Sequence, residues 1–88
     1  MNNLTFAEDA WSEYLYWQSQ DKKTLKKINA LLKDIQRAPF DGLGNPEALK
    51  GNMAGKWSRR INEKDRLVYE ITDGAVVIWQ CRGHYSDH

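Results

Sequence analysis

Cysteine is nearly absent from this chain. Its 88 residues hold one, Cys81, so no disulfide can form within it. A lone cysteine in a β-branched stretch reads as a small buried apolar side chain rather than a nucleophile. The lack of disulfides fits a reducing, cytoplasmic setting. Histidine is also scarce: His84 and His88 are the only two, and no Cys/His/Asp cluster has metal-ligand spacing, so neither metal nor cofactor is expected. There is no glycine-rich phosphate loop and no apolar run near the ~20 residues that span a bilayer. Met1-Asn2-Asn3-Leu4 offers no basic segment leading into an apolar stretch, so no signal peptide is expected either.

What is present fits one domain spanning residues 1–88, with 41% hydrophobic residues, enough for a single core without metal or disulfide support. Net charge is only +1, but it is unevenly spread. Residues 1–21 carry four acids and no Lys or Arg, whereas residues 22–66 carry twelve Lys/Arg against five acids. That polarity suits a protein that meets a polyanion with one side, and equally an ordinary solvated helix surface.

Leu4-Thr5-Phe6 reads as a first strand. Glu8 and Asp9 suit the N-terminus of a helix, on which Trp11, Tyr14, Leu15 and Gln18, with Ala10 and Trp17 beside them, form an aromatic packing face. Asp21 is an N-cap for a second helix, with Leu25, Ile28, Leu31, Leu32 and Ile35 as its buried stripe. Lys26, Lys33 and Arg37 share another face. Pro39 ends this helix near Ala38, and the short connection predicts an antiparallel helical hairpin. Residues 39–56 hold both prolines and four of the six glycines, a long loop for so small a domain. Within it, Pro46-Glu47-Ala48-Leu49-Lys50 reads as a short extended segment.

Strands are then expected at Trp57–Asn62, Arg66–Thr72 and Ala75–Tyr85. Glu63-Lys64-Asp65 and Asp73-Gly74 mark the hairpins between them. Alternation gives a core-facing set of Trp57, Ile61, Leu67, Tyr69, Ile71, Val77, Trp79 and Cys81. Ser58, Arg60, Asn62, Arg66, Val68, Glu70, Gln80, Arg82 and His84 face the other way. Arg59 falls with the apolar set, which a place near the sheet edge would explain. The fold class is α+β, with an N-terminal helical hairpin on one face of a twisted, mainly antiparallel sheet whose opposite face is polar and cationic.

Arg60, Arg66 and Arg82 gathered on an open face repel one another unless an anion binds. Single-stranded RNA supplies phosphates and stackable bases. Tyr85 could stack on a base or pack against the sheet edge. RNA also carries a nucleophile, its 2′-hydroxyl. Cleavage then needs a base, an acid for the departing 5′-oxygen and cations for the phosphorane. His84 can be acid or base, as histidine titrates near neutrality. Arg66 and Arg60 can clamp phosphate. Glu47 is the one acid outside a helix with a basic neighbour, Lys50, although a loop carboxylate is often only solvated.

At these residues the chain resembles the YoeB (Txe) family of bacterial toxins in the RelE superfamily, from about Phe6 to Tyr85. The resemblance lies in Trp11-Ser-Glu-Tyr14-Leu-Tyr-Trp17, Lys26-Lys-Ile-Asn29, Pro39-Phe40, Pro46-Glu47 with Leu49-Lys50, Trp57-Ser-Arg-Arg60-Ile61, Arg66-Leu-Val-Tyr69, and Cys81-Arg82 before His84-Tyr85. It implies a RelE-like, microbial-RNase-like fold and a toxin of a type II toxin–antitoxin system. It implies a ribosome-dependent messenger RNA endonuclease that cuts in the ribosomal A site without metal. It also implies a cognate YefM-like antitoxin, a homodimer, and contact with operator DNA only through the antitoxin complex. By position, Glu47, Arg66 and His84 match the family's catalytic residues. Lys50, Arg60 and Tyr85 match residues that contact substrate or shape the site.

Arg82 joins the substrate-binding set, and Lys26, Lys33 and Arg37 are expected to meet the ribosome. The sequence departs from the family pattern at Gly83, where a larger residue is usual, at Ala48, where proline is common, and in Ser86-Asp87-His88, which runs past the usual end. Two other readings stay open at this point: a non-catalytic RNA-binding module, and a superfamily relative that binds DNA gyrase.

Overall fold

The computed structural model describes residues 3–85. In chain order the elements are β1 (Asn3–Phe6), α1 (Glu8–Gln20), α2 (Lys22–Arg37), β2 (Glu47–Ala48), a 3-10 turn (Gly51–Met53), β3 (Trp57–Arg60), β4 (Arg66–Thr72) and β5 (Ala75–Gln80). They form a five-stranded sheet of order β1-β5-β4-β3-β2, in which β1 runs parallel to β5 and the other pairs are antiparallel. The two helices pack on one face.

A single residue joins the helices. The Asp21 main-chain N–H caps α1 at Trp17, while its carboxylate accepts hydrogen bonds from the N–H groups of Lys23 and Thr24 at the start of α2. One residue between helices leaves an antiparallel hairpin as the available geometry. Ile28, Leu31 and Ile35 of α2 are fully buried, each worth roughly 1.5–3 kcal/mol relative to exposure. They meet Leu67 and Tyr69 of β4 and Val76 and Ile78 of β5 in one cluster.

Three expectations need correction. The α1 packing face is Ala10 and Trp17, with Tyr14 and Tyr16 packed beside them, whereas Trp11 and Leu15 are 48% and 43% exposed. Trp17 is drawn in because its indole N–H donates to the Cys81 carbonyl (2.8 Å), a polar tie that an aromatic spacing pattern does not reveal. The second correction concerns β5, which ends at Gln80 rather than Tyr85. Val68 pairs with Gln80 while Tyr69 pairs with Ile78, so Trp79 is an extra, bulged residue. One inserted residue inverts the alternation. Val76 and Ile78 therefore face the core, Trp79 faces out, and Cys81 returns to the core. The third is Arg59. It lies on a strand flanked by β2 and β4, is fully buried, and is no edge residue. Its guanidinium donates to the Asp34 carboxylate (2.5 Å), to the carbonyls of Ala38, Asp41 and Leu43, and to the Tyr69 hydroxyl. That network fastens the loop after α2 to the sheet.

Candidate active site

The site is built on the sheet face opposite the helices. Residues 67 and 69 of β4 point into the core, so Arg66, Val68 and Glu70 point away from it. Arg60 of β3 lies directly across from Arg66, and Ser58 across from Val68 on one side and Glu47 of β2 on the other. The expected short extended segment is thus a real strand, and pairing with β3 places Glu47 beside Ser58. Leu49 anchors the loop just beyond: its side chain is buried and its N–H donates to the Lys56 carbonyl (2.9 Å). Lys50 follows as the residue that opens the 3-10 turn.

The C-terminal segment crosses back over this face. The Tyr85 hydroxyl lies 3.2 Å from Ser58 Oγ and donates to Glu47 Oε1 at 3.4 Å. Gly83 adopts φ +84°, a left-handed conformation that glycine takes without steric cost. It is tied three ways. Its N–H donates to Asp65 Oδ1 (2.7 Å), and its carbonyl accepts from the Arg66 N–H (3.0 Å) and from Gln80 Nε2 (2.8 Å). The Gln80 amide also donates to the His84 carbonyl (2.9 Å). The main chain at His84 is therefore fastened to Gln80 directly, and through Gly83 to the N-terminal end of β4. Arg66 turns one guanidinium nitrogen, Nη1, back onto the carbonyls of Asn62 (2.7 Å) and Asp65 (3.1 Å), which sets the direction of its fork.

The fold thus brings Glu47, Ser58 and Tyr85 into contact, sets Arg60 beside Arg66, and binds the backbone at His84 to the Arg66 strand. Arg82 goes elsewhere. Its guanidinium lies 3.7 Å from the centroid of the Tyr16 ring on α1, a cation–π contact on the helix side. The cause is that the chain leaves strand geometry after Gln80, so strand alternation no longer links residues 82 and 84. Lys26, Lys33 and Arg37 lie on α2, and Arg37 pairs with Asp34 (2.6 Å). Residues 86–88, including His88, lie outside the described residues.

Sequence reasoning put Ser58 and Gln80 on this face and Asp65 in the turn before β4, but gave none of them a part in the site. Asp65 is 4% exposed, unusual for a charged turn residue, and Ser58 is 3% exposed. The Asn62-to-Asp65 spacing was a usable signal, because Asn62 Oδ1 accepts from the Lys64 and Asp65 N–H groups in an Asx-type turn. Cys81 is not a nucleophile candidate: burial pushes its thiol pKa up to about 12. Two grooves, of about 410 Å³ beside Lys23, Lys27 and Asn62 and about 500 Å³ beside Phe6, Trp11 and Lys33, hold none of Glu47, Arg66, His84 or Tyr85.

Residues 6–85 match the YoeB-like toxins of bacterial type II toxin–antitoxin systems. The chain belongs to that family. It is 55% identical to toxin YoeB of Escherichia coli K12 over 82 residues, covering 93% of this chain and 98% of that one. The YoeB dimer from Staphylococcus aureus superposes with a TM-score of 0.88 at 48% identity, covering 96% of this chain and 98% of that one. YoeB in the heterotetrameric YoeB–YefM toxin–antitoxin complex of the same organism matches with a TM-score of 0.88 and 48% identity, over 97% of this chain and 99% of that one. The YoeB fold is therefore a helical hairpin on a mixed five-stranded sheet, as in this chain. Among its described residues no helix is long and apolar enough to cross a membrane.

Proposed function

We propose that this YoeB-family toxin is a ribosome-dependent endonuclease that cuts messenger RNA in the ribosomal A site and so stops translation. The observation that carries the reading is the Tyr85 hydroxyl held between Glu47 and Ser58. It closes the C-terminal segment over the strand that bears the acid, on the face that carries Arg60 and Arg66. In this scheme Glu47 removes the proton from the 2′-hydroxyl, whose oxygen attacks the adjacent phosphorus. The bond from phosphorus to the 5′-oxygen breaks, and His84 protonates that oxygen. Arg66, with Arg60, meets the added charge on the phosphorane. Lys50 and Tyr85 position the substrate. The products are a 2′,3′-cyclic phosphate and a 5′-hydroxyl. Because the substrate supplies its own nucleophile, the scheme needs no metal to activate water.

Lys26, Lys33 and Arg37 would meet ribosomal RNA from the helix side. The YoeB dimer and the YoeB–YefM complex of S. aureus support a homodimer and a YefM-like antitoxin as partners. Operator DNA would be reached only through that complex, and the protein would act in the cytoplasm. A message carrying one 2′-deoxy nucleotide tests the chemistry. Cleavage should vanish immediately 3′ of that nucleotide and persist elsewhere. Continued cutting there sinks the mechanism.

A further inference from the structure

The site face carries an aromatic residue that the scheme above does not use. Trp79 is 41% exposed, and the bulge at this position turns it away from the core. Its indole N–H donates to Glu70 Oε1 (3.1 Å), which restrains the ring's orientation. The Lys56 ammonium lies 5.0 Å from the ring centroid. Glu70 faces away from the core two residues beyond Val68 on β4, so Trp79, Glu70 and Lys56 form a row next to the row of Glu47, Ser58, Val68 and Gln80. Two residues along a strand is about 7 Å, so this row lies within about one nucleotide's reach of Glu47.

We propose that Trp79 is a base-stacking platform for a nucleotide flanking the scissile bond: the base takes the ring face opposite the one that Lys56 covers, and the Lys56 ammonium adds positive charge beside that nucleotide's phosphate. Three features support a ligand role over incidental exposure. The ring is oriented before binding by a hydrogen bond to a side chain, so little ordering remains to be done. An aromatic surface paired with a cation is the combination that single-stranded nucleic acid uses. The ring also shares its face with the proposed cleavage residues. The inference rests on the endonuclease reading and adds a specificity-determining contact to it. Glu70 opposes the phosphate charge and acts here only as the clamp on the indole.

The test is cleavage by the full chain on ribosomes programmed with messages carrying an abasic site on either side of the cut. At one of the two positions, removing the base should cost the wild type about 5- to 150-fold in kcat/KM, the range for loss of one stacking contact. Trp79→Ala should lose a similar factor on the intact message, mainly in KM, and should then be indifferent to the abasic site. Trp79→Phe should recover most of the loss, and Glu70→Gln should bind the message more tightly while keeping a hydrogen-bond acceptor. The idea is overturned if Trp79→Ala cuts intact message like the wild type, including the case where it loses only antitoxin affinity. It is overturned also if abasic sites cost the variant as much as the wild type. A wild type that cuts no message removes the endonuclease reading itself, which the other outcomes leave standing.

Discussion

The main-chain N–H of Gly83 donates to the Asp65 carboxylate at 2.7 Å, joining the turn before β4 to the segment that carries His84. Asp65 accepts a second bond from the Asn62 side-chain amide (3.1 Å), so one buried carboxylate organises both the turn and the C-terminal crossing. Asp65→Ala should cost about 1–3 kcal/mol in urea unfolding, since it leaves buried donors unpaired. Cleavage should fall more than tenfold as His84 loses its register. Asp65→Asn keeps an oxygen acceptor and should restore much of the activity. Equal loss in both variants would remove the positioning role.

Arg66→Lys keeps the charge but not the planar fork. A lysine cannot hold the carbonyls of Asn62 and Asp65 through one guanidinium nitrogen while presenting others to phosphate. Cleavage should drop about 100-fold with the thermal midpoint nearly unchanged. Primer extension on a translated message, beside a melting curve, measures both.

The Arg59–Asp34 pair should dominate stability. The Arg59 side chain is fully buried and that of Asp34 is 10% exposed. Asp34→Asn should destabilise the fold by about 3 kcal/mol by leaving a buried guanidinium without its counter-charge. The pH dependence follows in sign. Hydrogen bonds from Arg37, the Leu43 N–H and Arg59 hold the Asp34 carboxyl well below the usual carboxylate range. Its contribution is complete above about pH 5 and drains away as pH falls through the unfolded-state value of about 3.9 toward the lower folded-state value. The gap between wild type and Asp34→Asn in urea titrations should therefore narrow from pH 5 to pH 2. A constant gap would contradict the assignment.

Cys81 should resist iodoacetamide at pH 8 in the folded protein and react readily in urea. Burial raises its thiol pKa, with Glu13 and Asp65 adding to the shift, so almost no thiolate exists at that pH. Mass spectrometry of the alkylated chain reads the outcome directly. Rapid labelling of the folded protein would mean that Cys81 is not in the core.

Local chemistry was legible wherever one residue type decides one geometry. Asp21 caps the second helix, Asp73 and Gly74 turn the last hairpin with positive φ, and Glu47 sits in a short strand. Legibility failed where a residue's direction depends on a count along the strand. Read backwards from Cys81, period-2 alternation sends Val77 and Trp79 inward. The extra residue at Trp79 reverses that, and no local pattern announces it. Arg59 and Asp65 were opaque for another reason. Their partners are carbonyls, amides and carboxylates brought close only by the tertiary fold, so a charged residue that looks solvated is in fact a tie between segments. For the site, Glu47, Arg60, Arg66 and Tyr85 do share a face, whereas Arg82 left it because the strand stopped one turn too soon for alternation to apply.

Strand β1 has no partner until β5 exists, because Asn3 to Phe6 pair with Ala75 to Ile78. The first strand to leave the ribosome is therefore among the last to be hydrogen-bonded. Trp17 must likewise wait for the carbonyl of Cys81, 64 positions later. Long-separation contacts of this kind are slow to form and close late in folding. A nascent chain that stops before Ala75 holds Glu47 and Arg66 yet lacks the parallel strand pair, the tether through Gly83 and the Tyr85 contact. Under the proposed cleavage scheme, a chain cut short before Ala75 should therefore be inactive, although it already carries the acid and the arginine.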